Sequence, residues 1–461
     1  MKFSSERQQR DLTSGNLFKK IIIHLLPLFF ANILQLLFTT MDIFTVTHFG
    51  DGNISSGAIG ATTSIINLIL CVFWGITNGV TVVVSNAKGA KDKEKVSRAI
   101  GSSILIMLAA GIIVLIFGIC FAKQLLILLK TDEEFLLKST TYLIIYFIGA
   151  PFNLLYNTGA SILRAIGDTK RPFVAVLISG LINIGLNFLM VIAFKLDVAG
   201  VAIATIVSQT ISCFIVFYYL TKDQRLSANF EFKYLRFYKS EALEILRIGL
   251  LSGLQSFVFN ITNVTIQKST NLLSNEAVMG KAASSNIEGY EYALLTSISL
   301  TCGVAVGQNY GAKNKKRVKA SLWFCIFLET FLVTLFALLC YLLKEPLFAI
   351  FISNSGDNVT KIKEYASLSL LILGIPYALC GISECFAQYL RGMKYALAPA
   401  LVSLICITGY RLIYIHTIFN IDKFHNFASL ISTYPFSWIL AIIVYIPTAL
   451  IIKKKTYKSL D

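Results

Sequence analysis

Asp42 stands inside an apolar stretch, IIIHLLPLFFANILQLLFTTMDIFTVTH, at 21–48. A charge at membrane depth costs about 2.5–3.5 kcal/mol even on lenient scales, so acids there are rare and face a cavity or a partner. It is the only acid in the six apolar spans assigned below to the first half. Neutral polar groups are spaced to join it. Asn183 and Asn187 stand i, i+4 and share a helix face, as do Asn153 and Asn157, while Gln35 lies two turns before Asp42. A lone carboxylate among neutral oxygens can hold Na⁺, a proton or an organic cation at comparable cost. Burial favours the neutral acid, and a bound cation keeps it ionised, so one occupant can displace another. The second half carries more charge in apolar surroundings: Glu288, Glu291, Glu329, Glu384 and Arg411. By depth Arg411 falls beside Glu291, which fits either a buried ion pair that locks packing or a substrate site.

The elements that must position these groups follow from composition. The 461 residues are 56% apolar and only 14% charged, with a mean hydropathy of +0.70, far more apolar than a soluble protein. Runs of about 20 apolar residues, long enough to cross a bilayer, recur along the whole chain. Six spans fit near 21–48, 58–84, 100–122, 139–163, 173–194 and 199–220. A polar, aromatic connection at 221–248 fits a cytoplasmic linker with a surface-lying amphipathic piece, and six more spans fit near 249–273, 279–307, 320–343, 365–389, 397–419 and 430–452. This predicts an all-α integral membrane protein of twelve transmembrane helices. The formal charge of +16 is topological rather than a nucleic-acid signal: with the N-terminus inside, the cytoplasmic connections and tails hold 30 of 41 Lys and Arg, the opposite side 9. Both termini are therefore expected in the cytoplasm.

The halves repeat. GAKDKEKV (89–96) recurs as GAKNKKRV (311–318), LRAIGDTKRP (163–172) as LRGMKYALAP (390–399), and GAP (149–151) as GIP (374–376). Six spans per half bring both halves in from the cytoplasm, so the two lobes, 1–220 and 249–461, are expected to be parallel repeats about a pseudo-two-fold axis along the membrane normal, with substrate between them.

These residues resemble the multidrug and toxic compound extrusion (MATE) family, across nearly the whole chain. The carriers are Pro27 and Asp42, GAKD (89–92), LRAIGDTKRP with NIGLN (183–187), SNIEGYEY (285–292), VGQNYGAKNKKRV (306–318) and LRGM (390–393). The resemblance to its DinF-like branch implies a first-lobe site for a coupling proton or Na⁺, in which Asp42 matches the helix 1 acid and Na⁺ ligand, Asn183 a helix 5 amide and Thr205 a helix 6 hydroxyl. Asn187 stands where some members have a second acid, which removes a two-acid relay and resembles the NorM-like, often Na⁺-coupled, branch. Tyr142 resembles a cavity tyrosine. At about 1.5 Å per residue from the cytoplasmic ends, Asn187, Thr205 and Asp42 reach similar heights and Asn157 lies lower.

The coupling-cation site is accordingly expected at Asp42, Asn183, Asn187, Thr205 and Asn157, and the substrate cavity at Gln35, Tyr142, Asn153, Glu288, Glu291 and Glu384. Pro27, which lacks an N–H, is the expected hinge. Asp42 also fits an interfacial cap, and Asn183 and Asn187 fit interhelical glue. The nine Cys lie without CxxC spacing and read as small core residues; the four His show no metal spacing, and there is no HExxH, P-loop or nucleophile elbow. The expected function is efflux of small organic cations by Na⁺- or H⁺-coupled antiport with alternating access, in a monomer of the bacterial inner membrane contacting anionic lipids, with no cofactor beyond the coupling ion, no ATP and no nucleic acid. The rivals are a lipid-linked oligosaccharide flippase of the same broad group, which calls for a basic cavity, and a membrane enzyme or receptor.

Overall fold

The computed structural model describes residues 11–222, 231–352 and 358–458. All regular structure among the described residues is helical, as an apolar environment requires of a backbone that must satisfy its own hydrogen bonds. In chain order the helices are α1 (Leu17–Phe49), α2 (Asn53–Gly89), α3 (Lys93–Leu128), α4 (Glu133–Ile148), α5 (Ala150–Ala165), α6 (Lys170–Phe188), α7 (Asp197–Lys222), α8 (Lys239–Asn271), α9 (Asn275–Gly311), α10 (Lys315–Leu328), α11 (Thr334–Leu342), α12 (Lys344–Phe351), α13 (Val359–Ser369), α14 (Tyr377–Gly392), α15 (Leu397–Val402), α16 (Tyr410–His416) and α17 (Phe427–Lys458). Among the described residues wider π turns interrupt three spans, at Glu329–Val333, Leu370–Gly374 and Ser403–Gly409, and a fourth, Leu189–Ala193, ends the span begun by α6.

Among the described residues ten spans are long and apolar enough to cross a membrane, and α4 with α5, bent by 50°, makes an eleventh. The twelfth is α9, which is 37 residues long and more polar because it carries Glu276, Lys281, Glu288 and Glu291. The span expected to run unbroken over 139–163 is this bent pair: Pro151 has no N–H to continue the α4 ladder. The matched GIP of the second half sits at the corresponding break, between the π turn Leu370–Gly374 and α14.

The repeats share backbone detail as well as sequence. Lys91 and Lys313, in the two GAK motifs, are both left-handed, with φ of 59° and 56°. Asp92 then caps α3 by accepting from Lys95 N at 2.9 Å, and Asn314 caps α10 by accepting from Arg317 N at 3.1 Å. The LRAIG and LRGMK turns match likewise, with Asp168 N bonding Leu163 O and Tyr395 N bonding Leu390 O. These are helix ends closed by a left-handed residue and a backward hydrogen bond.

The chain packs into two compact units, Met1–Gly253 and Leu254–Asp461, and the dividing point lies inside α8. That helix starts at Lys239, within the connection read at 221–248, because Ala242, Ile245 and Ile248 make one buried face. Of the expected amphipathic piece, 223–230 lie outside the described residues. Small residues let α8 approach α2 closely: a Cβ at Gly249 would meet Ile76 Cα at 2.6 Å, and one at Gly253 would meet Val72 O at the same distance.

Candidate functional site

In the first unit α1 passes through Pro27 as one continuous helix. Three helices bring the polar groups together. Asn187, on α6, donates Nδ2 to Asp42 Oδ1 at 2.5 Å and to Asn183 Oδ1 at 3.3 Å, while the Thr205 hydroxyl, on α7, reaches Asp42 Oδ2 at 3.5 Å. Asn183 and Asn187 are 4% and 0% exposed, and Asp42 is half-buried. No cationic side chain among the described residues contributes to the surroundings of Asp42. Asn187 Oδ1 is buried without a hydrogen-bond partner, an oxygen turned to no donor beside an acid.

The α1–α6 approach that creates this contact depends on Gly180. A Cβ there would run into the Phe38 ring, one turn below Asp42 on α1. Tyr142 and Tyr146, on α4, stack at 6.3 Å and lie within electrostatic reach of Asp42. Gln209, on α7, lies near the Tyr146 hydroxyl. Neither Tyr146 nor Gln209 was expected, although each stands i+4 from an expected residue, Tyr142 and Thr205.

The other expected positions are elsewhere. Asn157 donates to the backbone and side-chain oxygens of Asn153, both at 2.9 Å, so these two form their own pair on α5. Gln35 is exposed on α1.

In the second unit Glu288 is held in a buried ion pair. Lys281 Nζ lies 2.7 and 3.0 Å from its oxygens, and Ser369 Oγ donates to it at 3.0 Å. Lys281 stands seven residues before Glu288, on the same helical face. Glu291 is wholly buried and neither carboxylate oxygen has a hydrogen-bond partner. The expected pair between Glu291 and Arg411 is not formed. Arg411 instead donates Nε to Ser437 at 2.9 Å and stacks over Tyr434, with its guanidinium carbon 4.2 Å from the ring centroid. The reason is the π turn Ser403–Gly409 just before it, which changes rise and direction relative to the uniform helix assumed in a depth count. Glu384 is 31% exposed by side chain and 3.8 Å from Arg391 Nη1.

The MatE family model matches residues 27–189 and 252–415. The probable multidrug resistance protein YpnP of Bacillus subtilis is 29% identical over 312 residues, covering 67% of this chain and 68% of that protein. The probable multidrug resistance protein NorM of Thermotoga maritima is 25% identical over 401 residues, covering 86% and 84%. A MOP superfamily transporter from Pyrococcus furiosus has the same fold, with a TM-score of 0.86 at 18% identity over 98% of both chains.

Proposed function

The chain belongs to the MatE family, and from that premise we propose that it exports small organic cations in exchange for Na⁺ or H⁺. Members of the family are transporters, so the chain is a multi-pass membrane transporter rather than an enzyme. Relatives are named as multidrug resistance and multidrug export proteins, which supports an organic substrate.

One observation carries the coupling reading: the Asp42 carboxylate is held by neutral donors alone, next to the orphaned Asn187 Oδ1. A half-buried anion without a counter-charge is stabilised by whichever cation reaches it. A proton neutralises Asp42. Na⁺, which takes oxygen ligands, would draw on the Asp42 carboxylate with the Asn183, Asn187 and Thr205 oxygens. Arrival of the coupling ion withdraws the negative charge from a bound organic cation and releases it; departure of the ion restores that charge. Opening this site alternately to the two sides of the membrane turns exchange into export. Pro27 serves as the bending point of α1, since its missing N–H leaves one fewer bond to break there. Gln35, Tyr142 and Asn153 contribute to the substrate path, and Asn157 to positioning through Asn153. The protein acts as a monomer in the inner membrane with both termini in the cytoplasm and basic turns against anionic lipid headgroups.

The test is movement of a fluorescent organic cation in proteoliposomes, with Na⁺ and pH gradients imposed separately, for wild type and a folded Asp42→Asn. Gradient-driven movement lost in Asp42→Asn supports the reading and identifies the ion. A wild type that moves nothing under either gradient hands the case to the flippase reading. A mutant that transports normally makes Asp42 structural.

A further inference from the structure

The second unit contains a carboxylate whose surroundings the exchange at Asp42 does not use. Glu329 begins the π turn Glu329–Val333, in the middle of the span formed by α10 and α11. It is 0% exposed. Cys385 Sγ, on α14, lies 3.7 Å from Oε1, and Oε2 has no hydrogen-bond partner. The pocket is shaped for it: a Cβ at Gly381, one turn before Cys385, would run into the Glu329 carboxylate. The titratable groups facing Glu329 are few. Cys325 comes from its own helix, Cys302 from α9, and Cys380, Glu384 and Cys385 from α14. The Cys302, Cys325 and Cys385 thiols lie against one another, and none of these groups is a cation.

We propose that Glu329, set among the Cys302, Cys325 and Cys385 thiols, is a second proton-binding site, contained in the second unit and separate from Asp42. Three features select a proton over a metal ion. A hard cation needs several oxygen ligands, and here one carboxylate faces sulfur. No group of three or more His, Cys, Asp or Glu among the described residues is arranged to hold a metal. A carboxylate with one weak thiol donor and no counter-charge is far cheaper to bury as the neutral acid. The π turn supplies the aim, as such turns do at functional positions. A part for this proton in coupling rests on the antiport reading; the site itself does not.

The test is infrared difference spectroscopy of the full chain in lipid nanodiscs, comparing wild type, Asp42→Asn, Glu329→Gln and Cys385→Ser. Wild type is expected to show a buried carboxylic-acid carbonyl band that Glu329→Gln loses and Asp42→Asn keeps. Cys385→Ser, which retains the acid and offers a stronger donor, is expected to shift that band to lower wavenumber. Spectra identical in wild type and Glu329→Gln, or a band that Cys385→Ser leaves in place, overturn the site. Proteoliposome transport is read in parallel: transport without the band rejects this site alone, and the band without transport rejects the antiport reading alone.

Discussion

Asn187 gives one amide nitrogen to two acceptors, Asp42 Oδ1 at 2.5 Å and Asn183 Oδ1 at 3.3 Å, and keeps its own oxygen buried without a donor. The amide cannot satisfy all of its atoms here. Turning it over would set its oxygen against the Asp42 carboxylate, so the nitrogen faces the acid and the oxygen is left for a cation.

Replacing Asn187 should therefore weaken ion coupling more than folding. Asn187→Ala removes the amide oxygen that Na⁺ would use, a loss of about 1–3 kcal/mol, or roughly 5- to 150-fold in affinity for Na⁺. The measurement is the concentration dependence of gradient-driven efflux in proteoliposomes. An unchanged half-saturating ion concentration would show that Asn187 is interhelical glue.

Gly180 and Phe38 set the distance between the helices that carry Asn187 and Asp42, since a Cβ on Gly180 would occupy the Phe38 ring position. Gly180→Ala should destabilise the protein by about 1–3 kcal/mol, the usual cost of overpacking. Shortening the obstructing side chain should restore much of it, so Gly180→Ala/Phe38→Ala is expected to be more stable than the sum of its single changes. Thermal unfolding in detergent reads this coupling, and strict additivity would mean that the two positions do not share the contact.

How much of this was legible in the sequence depended on whether a signal was local. Asp42 stood out because an acid in an apolar run is conspicuous, and Asn183 with Asn187 because i, i+4 spacing fixes a shared face whatever the tertiary packing. The GAK and LRG turns were readable as repeats, and their left-handed Lys91 and Lys313 follow from that repeated pattern. The π turns have no compositional signature. Counting by height assumed a uniform rise and direction, so it paired Arg411 with Glu291 and missed the aromatic seat of Arg411 on Tyr434. Lys281 was hidden by a different assumption: near the end of a span a Lys reads as interfacial, yet it is 8% exposed and folded back along its own helix to Glu288.

That buried pair should behave asymmetrically. Lys281→Met leaves the Glu288 charge buried with only Ser369 beside it, and removing one partner of a buried pair costs about 3–5 kcal/mol. Lys281→Met/Glu288→Gln removes both charges and should recover most of the loss. Thermal unfolding of the two variants decides it; equal destabilisation of both would mean that Lys281 acts through packing alone.

Glu291 and Arg411 provide the sharpest contrast between counted and observed geometry. If they were ion-paired, Glu291→Gln would strand the Arg411 guanidinium in the interior and cost about 3–5 kcal/mol. In the structure Glu291 has no hydrogen-bond partner and Arg411 rests on Tyr434 and Ser437. Glu291→Gln then removes a costly buried acid and should be neutral or stabilising. Arg411→Lys should be the damaging change, because an ammonium replaces neither the planar stacking nor the Nε donor to Ser437. Its loss should be about 2–4 kcal/mol, the sum of one hydrogen bond from a charged donor and part of the cation–π attraction. Tyr434→Leu should lower the stability of wild type and have less effect in an Arg411→Lys background, since the cation it stacks against has already changed. A double-mutant cycle on thermal unfolding measures that coupling directly, and a large loss in Glu291→Gln with none in Arg411→Lys would restore the ion pair that depth alone suggested.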